Sequence, residues 1–167
     1  AVMAAKIAGC VKIIAVDVVP ERLKLSMEFG ATDTINAKEV PDVVAKIKEL
    51  TDGGAHYSVE VSGIPDLSVQ AIKCLRRLGT AVVSSVTGPA EISVAIEPML
   101  MNPSVTFAGL TEGASNPQVF IPQLIEYFKS GQLPIDRLVK FYPFEEIEKA
   151  FEDSHSGKVI KPILLFD

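Results

Sequence analysis

Acidic and small polar residues stand directly after three β-branched runs of the sequence. Asp17 ends the run KIIAVD, Ser62 and Gly63 follow YSVEV, and Ser84 and Ser85 end TAVVSS. Ligands of an open parallel sheet bind outside the carboxyl ends of its strands, so each of these positions would form part of a pocket wall. A flat ligand could approach the backbone closely where such small residues stand.

Asp17 carries the most specific chemistry of this set. A carboxylate at a strand end can accept hydrogen bonds from both hydroxyls of an adenosine ribose, and it would repel a 2′-phosphate. Neither Val18 nor Val19 supplies the arginine that reads such a phosphate, so the pattern favours NAD over NADP as the ligand. By itself, Asp17 is equally compatible with a residue that simply begins the turn into a helix at Pro20.

Two further groups of residues are weaker candidates for ligand contacts. The segment Gly109–Gly113 (GLTEG) ends the run VTFAGL, and Lys158 and Lys161 flank the last predicted strand. Lys158 or Lys161 could contact a phosphate. Taken singly, however, these residues are better explained as an ordinary turn and as solvated lysines.

Independent catalysis has little support in the sequence. His56 and His155 lie far apart, and no cysteine or acidic residue stands at ligand spacing from either, so no zinc site is expected within the chain. Cys10 and Cys74 lie in apolar stretches and are predicted to be small core residues. The serines at the strand ends lack a G-x-S-x-G elbow, so a hydrolase triad is not expected.

The composition is that of a globular chain, with 167 residues, of which 48% are hydrophobic and 22% charged. A net charge of −5 without a basic run argues against a nucleic-acid partner or an anionic membrane. No apolar stretch approaches the roughly 18 residues of a transmembrane helix, and the first residues lack the features of a signal peptide. Because only two cysteines occur, we expect a reducing, cytoplasmic location.

Strand and helix patterns alternate along the chain. The predicted strands are Lys12–Asp17, Thr32–Asn36, Tyr57–Val61, Thr80–Val86, Val105–Leu110, Arg137–Tyr142 and Val159–Phe166. The predicted helices are Glu21–Phe29, Pro41–Leu50, Asp66–Leu78, Gln118–Ser130 and Phe144–Ser154, with one further turn at Pro98–Met101. This alternation predicts an α/β fold with a doubly wound, mostly parallel sheet.

The predicted sheet has distinct inner and outer strands. We expect the first strand to be buried on both faces, and Pro162 to place the last strand near an edge. No linker or internal repeat divides the sequence. Residues 1–167 are therefore predicted to form one domain, which about 137–167 closes with a strand, a helix and a strand.

A phosphate-binding glycine loop is expected just before Ala1. In dinucleotide-binding folds this loop opens the first helix, and the acidic residue follows about 20 residues later. Counting back from Asp17, the chain would begin inside that helix, and the central strand before the loop would be absent as well. The two neighbours of that strand would have unpaired backbone groups, each costing about 1–3 kcal/mol if buried. We expect upstream residues or an oligomer partner to fill the gap.

Several segments together carry a family resemblance. They are KIIAVDVVPERLKLSMEFGATDTIN, VEVSG, GTAVVSSV, FAGLTEG and YPFEEIEKAFEDSHSGKVIKPILLF. The sequence resembles the coenzyme-binding domain of zinc-type medium-chain alcohol dehydrogenases from end to end, and the segment Asp17–Asn36 is the most specific part. The stretch TEGASNPQVFIPQLIEYFKSGQLPIDRLVKFYPFEEI is most similar to the aryl- or benzyl-alcohol dehydrogenase branch. The resemblance implies a Rossmann fold.

The resemblance implies contacts to the adenosine half of NAD from the ends of two predicted strands. Asp17 would hold the adenosine ribose, and Arg22, one turn into the next helix, would lie by the adenosine. The residues that would border the adenine–ribose region are Val61, Ser62 and Gly63.

The resemblance also implies contacts to the rest of the coenzyme. The residues that would run beneath the nicotinamide ribose and amide are Ser84, Ser85 and Val86. Thr111 and Glu112 would lie opposite them, and Lys161 would match the basic residue that meets the pyrophosphate.

Activity and assembly are implied for the parent enzyme of such a chain. Hydride would pass between NAD and a primary alcohol or its aldehyde, aromatic in the branch named above, while zinc polarises the alkoxide. The zinc ligands and the proton relay belong to a catalytic domain outside this sequence, so this chain alone is expected to be inactive. The strand at Val105–Leu110 would pair with its twofold mate and build a homo-oligomer.

Two other functions remain open on the sequence. The chain could be a non-catalytic Rossmann-like domain that binds a nucleotide or only associates with copies of itself. It could also belong to a zinc-free reductase of the quinone-reductase type. Such reductases usually prefer NADP, which the Asp17-Val18-Val19 segment argues against.

Overall fold

The computed structural model describes residues 1–166 as an α/β protein. It divides into two compact units, the first spanning Ala1–Asn116 and the second beginning at Pro117. Every strand pair described in it is parallel, which confirms the predicted pairing. None of the described helices combines the length and the apolar character that crossing a membrane requires.

Each predicted strand and helix is present, with shifted ends. The strands are β1 (Ile14–Asp17), β2 (Asp33–Asn36), β3 (Ala55–Glu60), β4 (Leu75–Val83), β5 (Thr106–Gly109), β6 (Val139–Pro143) and β7 (Lys161–Leu165). The helices are α1 (Val2–Ile7), α2 (Pro20–Glu28), α3 (Val43–Leu50), α4 (Pro65–Lys73), α5 (Pro117–Lys129) and α6 (Ile147–His155). Short 3₁₀ turns span Glu112–Ala114, Ile135–Leu138 and Phe144–Glu146, and a π-helical turn spans Ile96–Met101.

The strands of the first unit form two sheets. β1 pairs with β2, while β4 lies between β3 and β5. Within residues 1–166 no ladder joins β1 to β3. In the second unit, β6 pairs with β7.

Local sequence sets where several helices begin and end. Pro20 and Pro65 stand at the first turns of α2 and α4, where a missing N–H has no helical partner to lose. The side chain of Asp42 accepts a hydrogen bond from the Ala45 N–H at 2.9 Å and caps α3. These signals explain why the predicted helix starts agree closely with the structure.

Each unit has its own buried cluster. In the first unit, Ile72 of α4 packs with Leu75 and Ala81 of β4. In the second unit, Tyr142 of β6 packs with Ala150 of α6 and with Val159. Burying a side chain as large as isoleucine or leucine contributes about 1.5–3 kcal/mol, so these contacts hold each helix on its sheet.

The core of the second unit also holds a buried carboxylate. Asp153 Oδ2 accepts a 2.7 Å hydrogen bond from the Tyr142 hydroxyl, and Asp153 Oδ1 lies 3.2 Å from Lys158 Nζ. The Tyr142 hydrogen bond is the main cause that lowers the pKa of Asp153; burial opposes it and Lys158 adds to it. Lys158 therefore has a structural partner within its own unit.

Two burial predictions are wrong. Val16 of β1 is 42% exposed, so this strand is not buried on both faces. Its neighbours Ala15 and Asp17 are half-buried, so Val16 lies on the more open face of β1. Cys10 is exposed because it lies in the turn after α1, outside any packed element, whereas Cys74 is buried as predicted.

The predicted helix over Asp66–Leu78 is wrong at its carboxyl end. α4 ends at Lys73, and Leu75 already belongs to β4. Ala55 pairs with Leu75 and Tyr57 with Thr80, so residues 76–79 bulge out of the ladder. Gly54 lies so close to this bulge that a Cβ there would stand 2.5 Å from Arg76 N. Strand pairing and the burial of Leu75 outweigh the helical tendency of this segment.

Leu78 at the tip of the bulge is a strained residue. Its φ is 63°, a region that costs a residue with a Cβ about 1–2 kcal/mol, and its side chain is 78% exposed. Asparagine adopts this conformation more readily. We therefore expect Leu78→Asn to raise the free energy of unfolding by about 0.5–1 kcal/mol, measured by urea denaturation.

Val11→Asn is the matched control, because Val11 is also exposed but its φ is not positive. It should change the free energy of unfolding by less than about 0.5 kcal/mol. Equal effects of the two substitutions would show that hydrophobicity, rather than backbone strain, governs stability at Leu78.

Candidate functional site at the strand ends

The carboxyl ends of β3, β4 and β5 lie side by side. Glu60 pairs with Val83, which pairs in turn with Gly109. The Ser84 N–H donates to the Glu60 carbonyl at 3.0 Å, and the Leu110 N–H donates to the Val83 carbonyl at 2.9 Å. This edge carries the predicted residues that follow the three strands, namely Val61, Ser62, Gly63, Ser84, Ser85, Val86, Thr111 and Glu112.

The side chain of Glu60 connects two of these strand ends. Glu60 Oε1 accepts hydrogen bonds from the Ser62 N–H at 2.6 Å and from the Ser62 hydroxyl. Glu60 Oε2 accepts a 2.6 Å hydrogen bond from the Ser85 hydroxyl. The carboxylate therefore ties the loop after β3 to the loop after β4.

Glu60 is buried, with 6% of its surface exposed. Burial acts to raise the pKa of Glu60, but the hydroxyls of Ser62 and Ser85 and the N–H groups of Ser62 and Gly63 outweigh it. The pKa of Glu60 is consequently lowered. The side chain is thus a carboxylate at neutral pH.

Gly63 packs against the other loop of this edge. Its φ is 77°, and a Cβ at this position would lie 3.0 Å from the Val86 carbonyl oxygen. A larger residue would need both a strained backbone and a displaced Val86. Gly63 thereby lets the loops after β3 and β4 approach each other closely.

Asp17 is fixed at the end of β1 by its own backbone. Its Oδ1 accepts hydrogen bonds from the N–H groups of Val18 at 2.7 Å and Val19 at 2.9 Å. Its Oδ2 takes no part in these two bonds and lies 4.0 Å from Arg22 Nη1. Asp17 and Arg22, which were both predicted to contact the adenosine half of NAD, are therefore neighbours.

The remaining predicted residues are exposed. Thr111 directly follows the edge at β5, and Glu112 has a positive φ of 49° in the 3₁₀ turn. Lys161 begins β7 in the second unit. Its predicted contact with a pyrophosphate stays a prediction.

Comparisons with known proteins identify the family. A sequence model described as zinc-binding dehydrogenase matches residues 1–130. The chain belongs to the zinc-binding dehydrogenase family. The resemblance to zinc-type alcohol dehydrogenases is thereby confirmed.

Curated and solved members of this family match nearly all of the chain. It is 32% identical over 166 residues to a geraniol dehydrogenase of Castellaniella defragrans, covering 99% of this chain and 44% of that protein. It is 47% identical, with a TM-score of 0.95, to an alcohol dehydrogenase zinc-binding domain protein of Burkholderia ambifaria, covering 99% and 45%. The benzyl alcohol dehydrogenase of Acinetobacter calcoaceticus is 38% identical, with a TM-score of 0.94, covering 99% and 46%.

These matches confirm the predicted Rossmann-like fold and the identity of the segment. The chain corresponds to the carboxyl-terminal, coenzyme-binding part of zinc-binding dehydrogenases, and its homologues are alcohol dehydrogenases. It spans less than half the length of the relatives named above.

Zinc does not fit the residues of this segment of a zinc-binding dehydrogenase. Across residues 1–166, no group of three or more histidine, cysteine, aspartate or glutamate side chains is placed to hold a metal ion. A structural or catalytic zinc site needs three or four such ligands. No step of the chemistry is therefore assigned to a metal held by residues 1–166.

Glu60 is the one residue of this edge that sequence reasoning missed. In the run YSVEV, the apolar residues Tyr57, Val59 and Val61 are all more than half exposed, whereas Glu60 on the opposite face is buried. The available signal was an acidic residue inside an apolar run, since a buried carboxylate requires hydrogen-bond donors nearby.

The lowered pKa of Glu60 predicts acid sensitivity. A carboxylate whose pKa is lower in the folded state stabilises the fold above its unfolded pKa, near 4.3, and loses that contribution as the pH falls through its folded pKa. Glu60→Gln should destabilise the chain by about 1 kcal/mol at pH 7, and this difference should shrink towards pH 3. Urea denaturation across this pH range measures it.

Glu91→Gln provides the control, because Glu91 is exposed. It should alter the free energy of unfolding at pH 7 by less than about 0.5 kcal/mol. If the free energies of unfolding of wild type and Glu60→Gln differ by a constant amount from pH 7 to pH 3, Glu60 is not an ionised, hydrogen-bonded group.

Proposed function

We propose that the chain is the coenzyme-binding part of an NAD-dependent, zinc-type alcohol dehydrogenase. The observation that carries this proposal is the fixed carboxylate of Asp17 at the end of β1. Two backbone N–H groups hold Oδ1, so Oδ2 keeps one direction and can accept hydrogen bonds from ribose hydroxyls. Family membership supports the same conclusion.

The same carboxylate supports NAD rather than NADP as the coenzyme. A 2′-phosphate would occupy the position of the ribose hydroxyl and face the negative charge of Asp17. Arg22 Nη1 lies 4.0 Å from Asp17 Oδ2, but the positions directly after Asp17 are held by Val18 and Val19 and supply no arginine to a 2′-phosphate. A zinc-free reductase that uses NADP is therefore the less favoured alternative.

The remaining predicted contacts extend the site across the strand ends. Under this proposal, Val61, Ser62 and Gly63 border the adenine–ribose region. The residues proposed for the nicotinamide half are Ser84, Ser85, Val86, Thr111 and Glu112, and Lys161 is proposed for the pyrophosphate. We also propose that residues 1–167 act as one coenzyme-binding domain, closed by about 137–167.

The reaction belongs to the longer protein of which such a domain is part. When bound, NAD accepts the hydride that leaves the alcohol carbon. This chain would bind and orient the coenzyme, and the zinc ligands would come from outside residues 1–166. Relatives named for geraniol and benzyl alcohol support a primary alcohol, including an aromatic one, as the substrate class to test first. A cytoplasmic location is part of the proposal and is supported by the free thiols of Cys10 and Cys74.

We further propose a homo-oligomer built through β5. This strand ends the order β3-β4-β5, and Phe107 is 38% exposed on it. Because the Leu110 N–H points to β4 and successive residues of a strand point to opposite sides, the N–H groups of Phe107 and Gly109 point away from β4. They could pair with the same strand of a second copy.

Asp17→Ala tests coenzyme binding. We expect the affinity for NADH to fall at least about ten-fold, because hydrogen bonds to a charged group contribute about 1.5–3 kcal/mol. The preference for NADH over NADPH should fall as well. Titrations that follow the fluorescence of NADH and of NADPH measure the affinity and the preference, since the chain contains no tryptophan to interfere.

Asp33→Ala is the control, because Asp33 is also an ion-paired aspartate, but it stands at the amino end of β2. It should leave NADH affinity unchanged. If Asp17→Ala and Asp33→Ala behave alike, the non-catalytic alternative in which Asp17 only begins a turn is supported instead.

Phe107→Pro tests the oligomer. Proline removes an N–H that points away from β4 and leaves the β4–β5 ladder intact, so we expect the assembly to dissociate to monomers in sedimentation velocity. Phe107→Ala keeps that N–H and should remain assembled. A wild-type chain that is monomeric at micromolar concentration would refute this part of the proposal.

A further inference from the structure

Two of the three serine hydroxyls at the edge of β3 and β4, those of Ser62 and Ser85, are oriented by one carboxylate. The Ser62 hydroxyl contacts Glu60 Oε1, and the Ser85 hydroxyl lies 2.6 Å from Glu60 Oε2. An ionised carboxylate only accepts hydrogen bonds. Each of these two serines must therefore donate its single hydroxyl proton to Glu60 in a hydrogen bond.

A hydroxyl whose proton is committed in this way can only accept hydrogen bonds from a ligand. Ser62 Oγ already accepts the N–H of Ile64 at 3.1 Å, so it serves the turn that leads into α4. Ser85 is half-buried, and it is the serine of the pair for which the proposed coenzyme site predicts a nicotinamide-side contact. Glu60 thereby makes Ser85 Oγ an acceptor, where an unconstrained serine could be either donor or acceptor.

We propose that Glu60 is a positioning residue that fixes Ser85 Oγ as the acceptor for a hydrogen-bond donor on the nicotinamide riboside half of the coenzyme. This inference rests on the proposed function. Two groups of that half can donate, namely a ribose hydroxyl and the carboxamide NH₂. The two share the same chemistry, and they are separated by the experiment below.

The arrangement also has a consequence for specificity. A ligand oxygen that only accepts hydrogen bonds, such as one of a phosphate or carboxylate, would meet Ser85 Oγ without a proton between them. The Glu60 charge behind it would add repulsion. The edge of β3 and β4 therefore favours a neutral donor at this position and rejects an anion.

The test uses calorimetric titration of wild type and Ser85→Ala with NADH, its 3-acetylpyridine analogue, ADP-ribose and AMP. Ser85→Ala should weaken NADH binding about five-fold, the effect of one neutral hydrogen bond. If the carboxamide is the donor, the loss is absent with the analogue, which has a methyl group in place of NH₂. If a ribose hydroxyl is the donor, the loss persists with the analogue and with ADP-ribose. AMP binding should be unchanged in both cases.

A second measurement tests the role of Glu60 itself. In a double-mutant cycle of Glu60→Gln and Ser85→Ala, the two losses of NADH affinity should not add. A glutamine whose single oxygen accepts from Ser62 turns its NH₂ group towards Ser85, and that group cannot accept the Ser85 proton. Carbon-13 NMR should show that the pKa of the Glu60 carboxyl is higher in Ser85→Ala than in wild type, since one hydrogen-bond donor is lost. Ser130→Ala, which removes an exposed hydroxyl that donates to the Tyr127 carbonyl, is the control for loss of a serine.

The outcomes separate this inference from the proposed function. If NADH binding depends on Asp17 but is unaffected by Ser85→Ala, this inference alone is wrong. It is also wrong if AMP binding weakens as much as NADH binding, if the two losses add, or if the pKa of Glu60 does not change. If the wild-type chain binds none of the four ligands, the proposed function fails together with this inference.

Discussion

The buried carboxylate of Glu60 is the constraint on which the strand-end edge depends. A charge removed from water is costly unless donors surround it, and the donors here come from the loops after β3 and β4, through Ser62, Gly63 and Ser85. Satisfying this one charge therefore requires the two loops to hold a particular separation. Gly63 makes that separation possible, because a Cβ would collide with the Val86 carbonyl. The buried charge of Glu60 and the close packing of Gly63 therefore require the same separation of the two loops.

Three acidic residues of the chain show how the hydrogen-bond donors around a carboxylate determine whether it can also contact a ligand. Asp17 is held by two N–H groups of the residues that follow it, on one oxygen only. Asp153 is enclosed by the Tyr142 hydroxyl on one oxygen and by Lys158 on the other, so both oxygens serve its own unit. Glu60 lies between these extremes, since both of its oxygens are engaged, but by serines that have remaining acceptor capacity. Asp17 can therefore contact a ligand directly, Asp153 stabilises the fold, and Glu60 acts through Ser85.

Much of this fold follows from local sequence, and the exceptions have physical causes. Helix starts at Pro20 and Pro65 depend on nearby residues alone, and the chemistry of Asp17 depends on its place at a strand end. The face of β3 that becomes buried depends on distant groups, because Ser58 donates to the Ala71 carbonyl and Glu60 accepts from Ser85. The apolar residues of YSVEV indicate the wrong face, and its one acidic residue does not show which distant donors will surround it. The end of α4 likewise depends on pairing between Leu75 and Ala55, a partner earlier in the chain.

The bulge at residues 76–79 separates the two ends of β4. The ladder resumes in register at Thr80, after which every pair up to Val83 is regular. The irregular pairing is thereby confined to the amino end of β4, while the carboxyl ends of β3, β4 and β5 stay aligned. The bulge is itself held in place, because the Leu78 N–H donates to the Pro103 carbonyl at 2.9 Å and Arg77 Nη1 donates to the Asn102 carbonyl at 3.1 Å. It therefore fastens the amino end of β4 to the turn that leads into β5.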